Sequence, residues 1–236
     1  MDILATIVTI AWLSGLCAFA GGLGARFSGR ARTATQQELM HGIVAFGGGI
    51  LVAAVAFALI PEGMEVLPPA GLAVAFLVGG GLFCVIDAYL ERRGGNWAQF
   101  MALLMDFVPE AISLGAVFGH DRRLGTLLAA FIGLQNLPEG FNAFRDMRHL
   151  GLSSRRILLV LLAVSVLGPL AAGLGYLFLE DRPALTAAIM AFAGGGILYL
   201  VFQDIAPQSR MRNHWTPPLG AVMGFMIGML GNVLVV

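Results

Sequence analysis

The sequence predicts an all-α membrane protein whose chain crosses the bilayer eight times, and three observations carry that reading. Only 12% of the 236 residues are charged while 58% are hydrophobic, about half the charged fraction of a soluble domain, and the mean hydropathy is +0.85. The apolar residues fall into eight continuous runs, each near the roughly 20 residues that cross about 30 Å of hydrocarbon. The positive charges, all of them arginine, sit between the runs and are sorted by side. Runs that are continuous rather than alternating favour helices over a barrel.

The runs lie at about 3–24, 41–61, 70–90, 98–118, 124–144, 156–179, 184–206 and 216–236. Links between them are short, so residues 1–236 are expected to form a single transmembrane domain. Asp2 stands where a signal peptide carries basic residues, so the first run reads as a span. Arg26, Arg30 and Arg32 follow span 1, and Arg92 and Arg93 follow span 3. Arg145, Arg148, Arg155 and Arg156 follow span 5, and Arg210 and Arg212 follow span 7, whereas Arg122, Arg123 and Arg182 lie on the other side. Eleven of the 14 positive residues therefore share one side. The positive-inside rule makes that side cytoplasmic and puts both termini outside. Net charge is zero, and no nucleic-acid partner is expected. Cys17 and Cys84 lie within apolar runs and indicate neither a disulfide framework nor a thiolate metal cluster.

Two spans echo each other. Span 2 reads Ala45-Phe46-Gly47-Gly48-Gly49-Ile50-Leu51 and span 7 reads Ala191-Phe192-Ala193-Gly194-Gly195-Gly196-Ile197-Leu198; both end near a proline, Pro61 and Pro207. By the charge-based orientation they run in opposite directions, which is the mark of an inverted-topology repeat. The expected architecture is a 3+2+3 arrangement, with inverted repeats of spans 1–3 and 6–8 around spans 4–5. In span 8, Gly220, Gly224 and Gly228 recur every four residues and predict a close helix–helix face without chemistry of its own.

Chemistry concentrates in spans 4 and 5. Span 4 holds Asp106-Phe107-Val108-Pro109-Glu110 and span 5 holds Gln135-Asn136-Leu137-Pro138-Glu139-Gly140. Asp106 and Glu110 are four apart, on one helix face, and Gln135 with Glu139 repeats the spacing. A short turn makes the two spans antiparallel neighbours, so all four side chains are expected to converge at mid-membrane depth. An ionised group there costs roughly 2.5–3.5 kcal/mol, and every arginine lies outside the span centres. A hard divalent cation, which prefers carboxylate and amide oxygen, is the fitting compensator. Each proline also removes the helical donor of the carbonyl four residues earlier, here Met105 and Leu134. Asp106, Glu110, Gln135 and Glu139 are thus the expected metal ligands, with Asn136, the Met105 carbonyl and Asp204 as further candidates. Ser113 and Asn142 stand one turn beyond the Pro-Glu pairs as supporting groups. Asp87 and Asp204 are placed near span ends, within reach of interfacial water, and Glu62 and Glu65 just outside span 2. His41, His120, His149 and His214 all fall at span ends or in loops, where ordinary interface polarity accounts for them.

On these residues spans 4 and 5 resemble the ZIP family of divalent metal transporters. That family carries a His-Asn-x-Pro-Glu-Gly type motif on both spans, within eight spans and outside termini. Asp106 stands where the first motif has His and Phe107 where it has Asn; Glu110 matches its Glu. Gln135 replaces the second His, a variation that resembles some bacterial members, while Asn136 and Glu139 match. Where members carry Glu-Pro in span 6, this chain has Gly168-Pro169. The resemblance implies two adjacent metal sites, of which Phe107 and Gly168 remove ligands from the second, leaving one retained site. It implies import of a divalent cation (Zn²⁺, Mn²⁺, Fe²⁺ or Cd²⁺) by alternating access, with spans 1, 4, 5 and 6 moving against spans 2, 3, 7 and 8. It also implies a bacterial cytoplasmic membrane, no required cofactor and a homodimer. An all-oxygen site shifts the preference toward harder ions such as Mn²⁺ or Fe²⁺.

Three other readings compete. One is an ion-coupled carrier of another solute, and one is a family member that senses metal or acts as a scaffold. The third is an intramembrane enzyme with Asp106 and Glu110 as an acid–base pair; no nucleophile or nucleotide motif accompanies them, so no enzyme is expected.

Overall fold

The computed structural model describes residues 2–29, 33–92 and 98–235; Arg30, Arg32 and Arg93 of the charge argument lie outside them. The described chain is helical, with no strand beyond a single bridge between Met211 and His214. Eight helices follow one another: α1 (Ile3–Ser28), α2 (Ala34–Val66), α3 (Pro69–Arg92), α4 (Ala98–Phe118), α5 (Arg122–His149), α6 (Ser154–Leu179), α7 (Pro183–Gln208) and α8 (Leu219–Val235). By length and composition α1, α2, α3, α6 and α7 suffice to cross a membrane. The apolar α8 is shorter, at 17 residues, and α4 and α5 carry the buried polar groups.

Local chemistry sets the helix starts. The Thr33 side chain accepts from the Gln36 N–H while the Gln36 side chain returns to the Thr33 N–H, a capping box that opens α2 ahead of its apolar run. Asp121 opens α5, accepting from the Arg123 and Leu124 N–H groups at 2.8 and 3.0 Å. Only Gly119, His120 and Asp121 separate α4 from α5, so the two are antiparallel neighbours. Ser153 caps α6.

Two helices widen near their prolines. In α2 the Ile60 N–H reaches back five residues to the Val55 carbonyl, and in α7 the Ala206 N–H does the same to Val201. Each π turn precedes a proline, Pro61 or Pro207, whose ring crowds the carbonyl four residues back and offers it no N–H. Widening the turn accommodates that carbonyl without ending the helix. The sequence echo of the Gly-rich runs therefore extends to the backbone. Helix α6 breaks more sharply, at Val166, three residues before Pro169.

In four helix pairs a Cβ on glycine would come within 2.2 Å of a backbone carbonyl of the partner helix. A Cβ on Gly21 of α1 would overlap the Leu137 carbonyl of α5, and one on Gly140 the Ala18 carbonyl. The same reciprocity holds for Gly115 and Gly175 between α4 and α6, and for Gly79 and Gly195 between α3 and α7. Between α2 and α8, Gly220 faces the Gly42 carbonyl, Gly224 the Phe46 carbonyl and Gly228 the Ala53 side chain. Without a hydrophobic drive between helices in lipid, such backbone approach is what holds them. Between α2 and α8 the contacting residue numbers rise together, as they do from Ser14–Ala129 to Ala18–Gly140 between α1 and α5, so these pairs are parallel. Odd helices pair with odd and even with even, as successive crossings demand. Gly220, Gly224 and Gly228 thus form the packing face expected of them. The outer faces of α3 and α8 stay apolar and exposed, with only Gly79, Phe83 and Asp87 buried on α3 and Gly224 and Gly228 on α8.

Gly224→Val is expected to lower the thermal unfolding temperature of the detergent-solubilised protein, at an overpacking cost of about 1–3 kcal/mol. Gly81→Ala, at a site with nothing within 4 Å, should leave it unchanged. Equal behaviour of the two variants in a melting assay contradicts the close α2–α8 approach.

Candidate metal site

Helices α4 and α5 present their polar residues to the inside of the bundle. Asp106 is 3% exposed, Glu110 1%, Gln135 0% and Asn136 1%, and both carboxylate oxygens of Glu139 are buried. Pro109 and Pro138 are accommodated within continuous helices. Pro138 packs into the space left by Gly47, where a Cβ would come within 2.8 Å of its ring. One function of the Gly-rich run of α2 is therefore to let α5 approach at the site.

The expected four ligands divide into two groups. Gln135 Nε2 donates to Glu110 Oε2 at 2.5 Å, joining α5 to α4. Asp106 and Glu139 instead line a cavity bounded by Val44, Gly47 and Leu51 of α2 and by Ile197, Leu200 and Asp204 of α7. Asp106 Oδ1 accepts from the Phe107 N–H at 2.7 Å. Glu139 has only the neighbouring Asp106 carboxyl beside it, with no donor from an amide, hydroxyl or backbone N–H, and Asp204 Oδ2 and Gln135 Oε1 have no partner. Among the described residues no three His, Cys, Asp or Glu side chains gather into a metal-holding group. The Gln135 amide supplies the donor that holds Glu110, whose charge still acts on Asp106 and Glu139.

The other candidates separate likewise. Asp204, in the π turn of α7, does join Asp106 and Glu139 on the cavity. Asn136 turns toward α1, donating to the Ser14 carbonyl at 3.1 Å, and its Oδ1 is unpartnered. Met105 is half-buried on α4, and Ser113 donates to the Pro109 carbonyl at 2.9 Å. Asp87 departs from expectation: it is 8% exposed and accepts from the Tyr199 hydroxyl at 2.9 Å. The close α3–α7 pairing closes over it and replaces interfacial water.

Sequence reading undervalued one feature of α5. Gln135, Glu139, Asn142, Asp146 and His149 recur at intervals of four, three, four and three, a single stripe along the helix. Asn142 lines the cavity with Glu139. It also lines a second, polar cavity with Asp146 and His149, together with Gln37 and His41 of α2 and Gln208 of α7. Val44 and Asn142 line both, so the cavity of Asp106 and Glu139 adjoins one at the arginine-bearing end of the bundle. The spacing was the available signal.

Phe107 and Gly168, two of the positions that depart from the ZIP pattern, meet. Phe107 is 1% exposed, and a Cβ on Gly168 would lie 2.7 Å from its Cζ and 2.8 Å from the Ala11 carbonyl. A phenyl ring fills the region between α1, α4 and α6.

Fold and site together define an integral membrane protein that keeps carboxylates inside a helical bundle. Residues 85–235 match the family described as ZIP Zinc transporter, and the chain belongs to that family. It is 28% identical over 232 residues to the zinc transporter ZIPB of Bordetella bronchiseptica, spanning 85% of this chain and 72% of that relative. Over 177 residues it is 27% identical to the zinc transporter GufA of Myxococcus xanthus, spanning 65% and 70% respectively.

Glu110→Leu leaves the buried Gln135 amide without its acceptor and is expected to cost about 1–3 kcal/mol. Glu139→Leu removes a carboxylate set beside the like charges of Asp106 and Glu110 and should be neutral or stabilising in metal-free protein. Thermal unfolding in excess chelator compares them; equal destabilisation contradicts the two-group arrangement.

Proposed function

We propose that the protein is a secondary transporter that imports a divalent transition-metal cation, with Asp106, Glu110, Gln135 and Glu139 as the transport site. The observation that carries this reading is Glu139. Both of its oxygens are buried with only another carboxyl, Asp106, beside them, on a cavity shared with Asp106 and Asp204, and no ion pair reaches these groups among the described residues. Carboxylates left so in a bilayer require a compensating charge, and oxygen donors of this kind suit a divalent cation. Two zinc transporters among the relatives support zinc as cargo. The oxygen-only donor set widens the range to Mn²⁺, Fe²⁺ and Cd²⁺.

The packing supports alternating access. Exchanging α1 with α6, α2 with α7, α3 with α8 and α4 with α5 maps the α1–α5 pair onto α6–α4 and the α2–α8 pair onto α7–α3. That exchange swaps odd helices for even, so the two halves relate as an inverted repeat. The glycine-closed pairs also fall within two blocks, α1, α4, α5, α6 and α2, α3, α7, α8, with the cavity between them. Asn142, Asp146 and His149 then offer a way out for the cation on the arginine-bearing, cytoplasmic side. Packing of Phe107 on Gly168 supports one site in place of two. The same packing favours the second reading, a family member that binds metal and senses it.

Proteoliposomes containing the wild-type protein are expected to take up Zn²⁺, Mn²⁺, Fe²⁺ or Cd²⁺ saturably, with Mg²⁺ as the comparison ion. Asp106→Ala and Glu139→Ala should abolish uptake without loss of expression. Gln135→His should raise the ratio of Zn²⁺ to Mn²⁺ uptake by adding an imidazole nitrogen. Absence of uptake of any of these ions by folded protein sinks the transporter reading, and uptake surviving both alanine changes sinks the site.

A further inference from the structure

A polar pocket opens at the arginine-bearing ends of α1, α5 and α6, apart from the cavity that holds Asp106 and Glu139. Its walls carry Arg26 of α1, Arg145, Arg148 and His149 of α5, and Ser154 of the first turn of α6. None of the three arginines forms an ion pair with a carboxylate among the described residues. Neutral groups hold two of them. Arg148 Nη1 donates to the Leu152 carbonyl at 2.7 Å, and the Arg145 guanidinium lies 5.9 Å from the centre of the Phe141 ring. The acid next in sequence, Asp146, faces a neighbouring cavity that Arg145 and His149 also line, and its charge acts on both of them.

Three guanidinium groups drawn from two helices, with the single carboxylate of Asp146 acting on Arg145 and none paired with Arg26 or Arg148, keep a net positive charge that an anion between them would relieve. Guanidinium offers paired N–H donors that match the oxygens of a phosphate, and the Ser154 hydroxyl adds another donor. The pocket also sits where a bilayer presents phosphates, at the ends of helices that cross it. Basic pockets between transmembrane helices at this level suit anionic head groups. Apolar surface for acyl chains adjoins in sequence on both flanking helices, with Phe27 82% exposed on α1 and Leu159 56% exposed on α6.

We propose that this pocket binds the phosphate of an anionic phospholipid head group. The site is independent of the transported metal and joins the ends of α1, α5 and α6 through one ligand. Purified full-length protein in neutral detergent tests it, by native mass spectrometry and thermal unfolding with phosphatidylglycerol, phosphatidylcholine or inorganic phosphate added. Phosphatidylglycerol should be retained and should raise the unfolding temperature, and phosphatidylcholine should do neither. Arg26 is exposed, so Arg26→Gln is expected to fold and to weaken phosphatidylglycerol binding about fivefold. Adding Arg145→Gln should bring the loss to roughly 25-fold, and the corresponding lysine variants should retain most of the affinity. Arg155→Gln, at an exposed arginine of the same end outside the pocket, should change nothing. Equal retention of phosphatidylcholine overturns the proposal, as does an Arg155→Gln loss as large as that of the pocket variants. Stabilisation by millimolar inorganic phosphate as strong as by phosphatidylglycerol overturns the lipid as occupant and assigns the pocket to a soluble phosphate.

Discussion

Carboxylates without a counter-charge, held inside a bundle that crosses a bilayer, are the constraint on which the other features turn. Each costs roughly 2.5–3.5 kcal/mol at the bilayer centre, and α4 and α5 contribute Asp106, Glu110 and Glu139. Only Glu110 receives a side-chain donor from the neighbouring helix, from Gln135. Asp106, Glu139 and Asp204 face a common cavity. Three helices are shaped around that need. Gly47 lets Pro138 seat α5 against α2, and the π turn of α7 carries Asp204 to the cavity wall. Polar groups buried away from this space, Glu110 with Gln135, Asn136 and Asp87, are each held by a hydrogen bond, as non-aqueous surroundings demand.

The remaining packing sorts by kind of contact. Within α1–α5, α4–α6, α2–α8 and α3–α7, glycine meets a backbone carbonyl, and nothing larger than hydrogen fits. Across the division between the two blocks, glycine instead meets side chains: Gly47 meets Pro138 and Gly228 meets Phe131. Backbone-on-backbone contact fixes two helices as a unit, because neither surface can yield. Side chains can exchange rotamers and neighbours as one surface slides over another. A polar cavity lying along the yielding surface, with the rigid pairs on either side, has the anatomy that rocking of one bundle against another requires.

Much of this was legible in the sequence. Apolar runs of bilayer length and the one-sided arginines gave the all-α membrane class, and the Pro-Glu pairs on consecutive spans pointed to the buried site. The Gly-rich echo even located the two helices that carry π turns. Other features depend on partners far along the chain. Nothing local to Asp87 says that Tyr199, 112 positions away, will cover it. Spacing places Glu110 and Gln135 on facing helices but is silent on whether they will share an ion or bond to each other. The stripe from Gln135 to His149 was readable by its spacing alone. Its Gln135, Glu139 and Asn142 stand out singly, whereas Asp146 and His149 each look like an ordinary helix-end group, so the stripe shows only when all five are taken together.

Phe107 and Gly168 show how a departure from a family pattern becomes a structural unit. Taken separately, they are two missing ligands, 61 positions apart in sequence. In the fold they are one event, because the ring tip of Phe107 occupies the space that any side chain at position 168 would enter. A carboxylate restored at 168 alone would meet both the phenyl ring and the Ala11 carbonyl. One restored at 107 alone would face the α-hydrogen of a glycine and lack a partner for the ion. Neither change gains a ligand pair without the other, and each leaves a charge or a void in a well-packed interior. On the one-site reading the ring replaces a second cation with apolar contact. The bundle then needs no extra charge compensation between α1, α4 and α6, and what remains to be balanced is concentrated on Asp106 and Glu139.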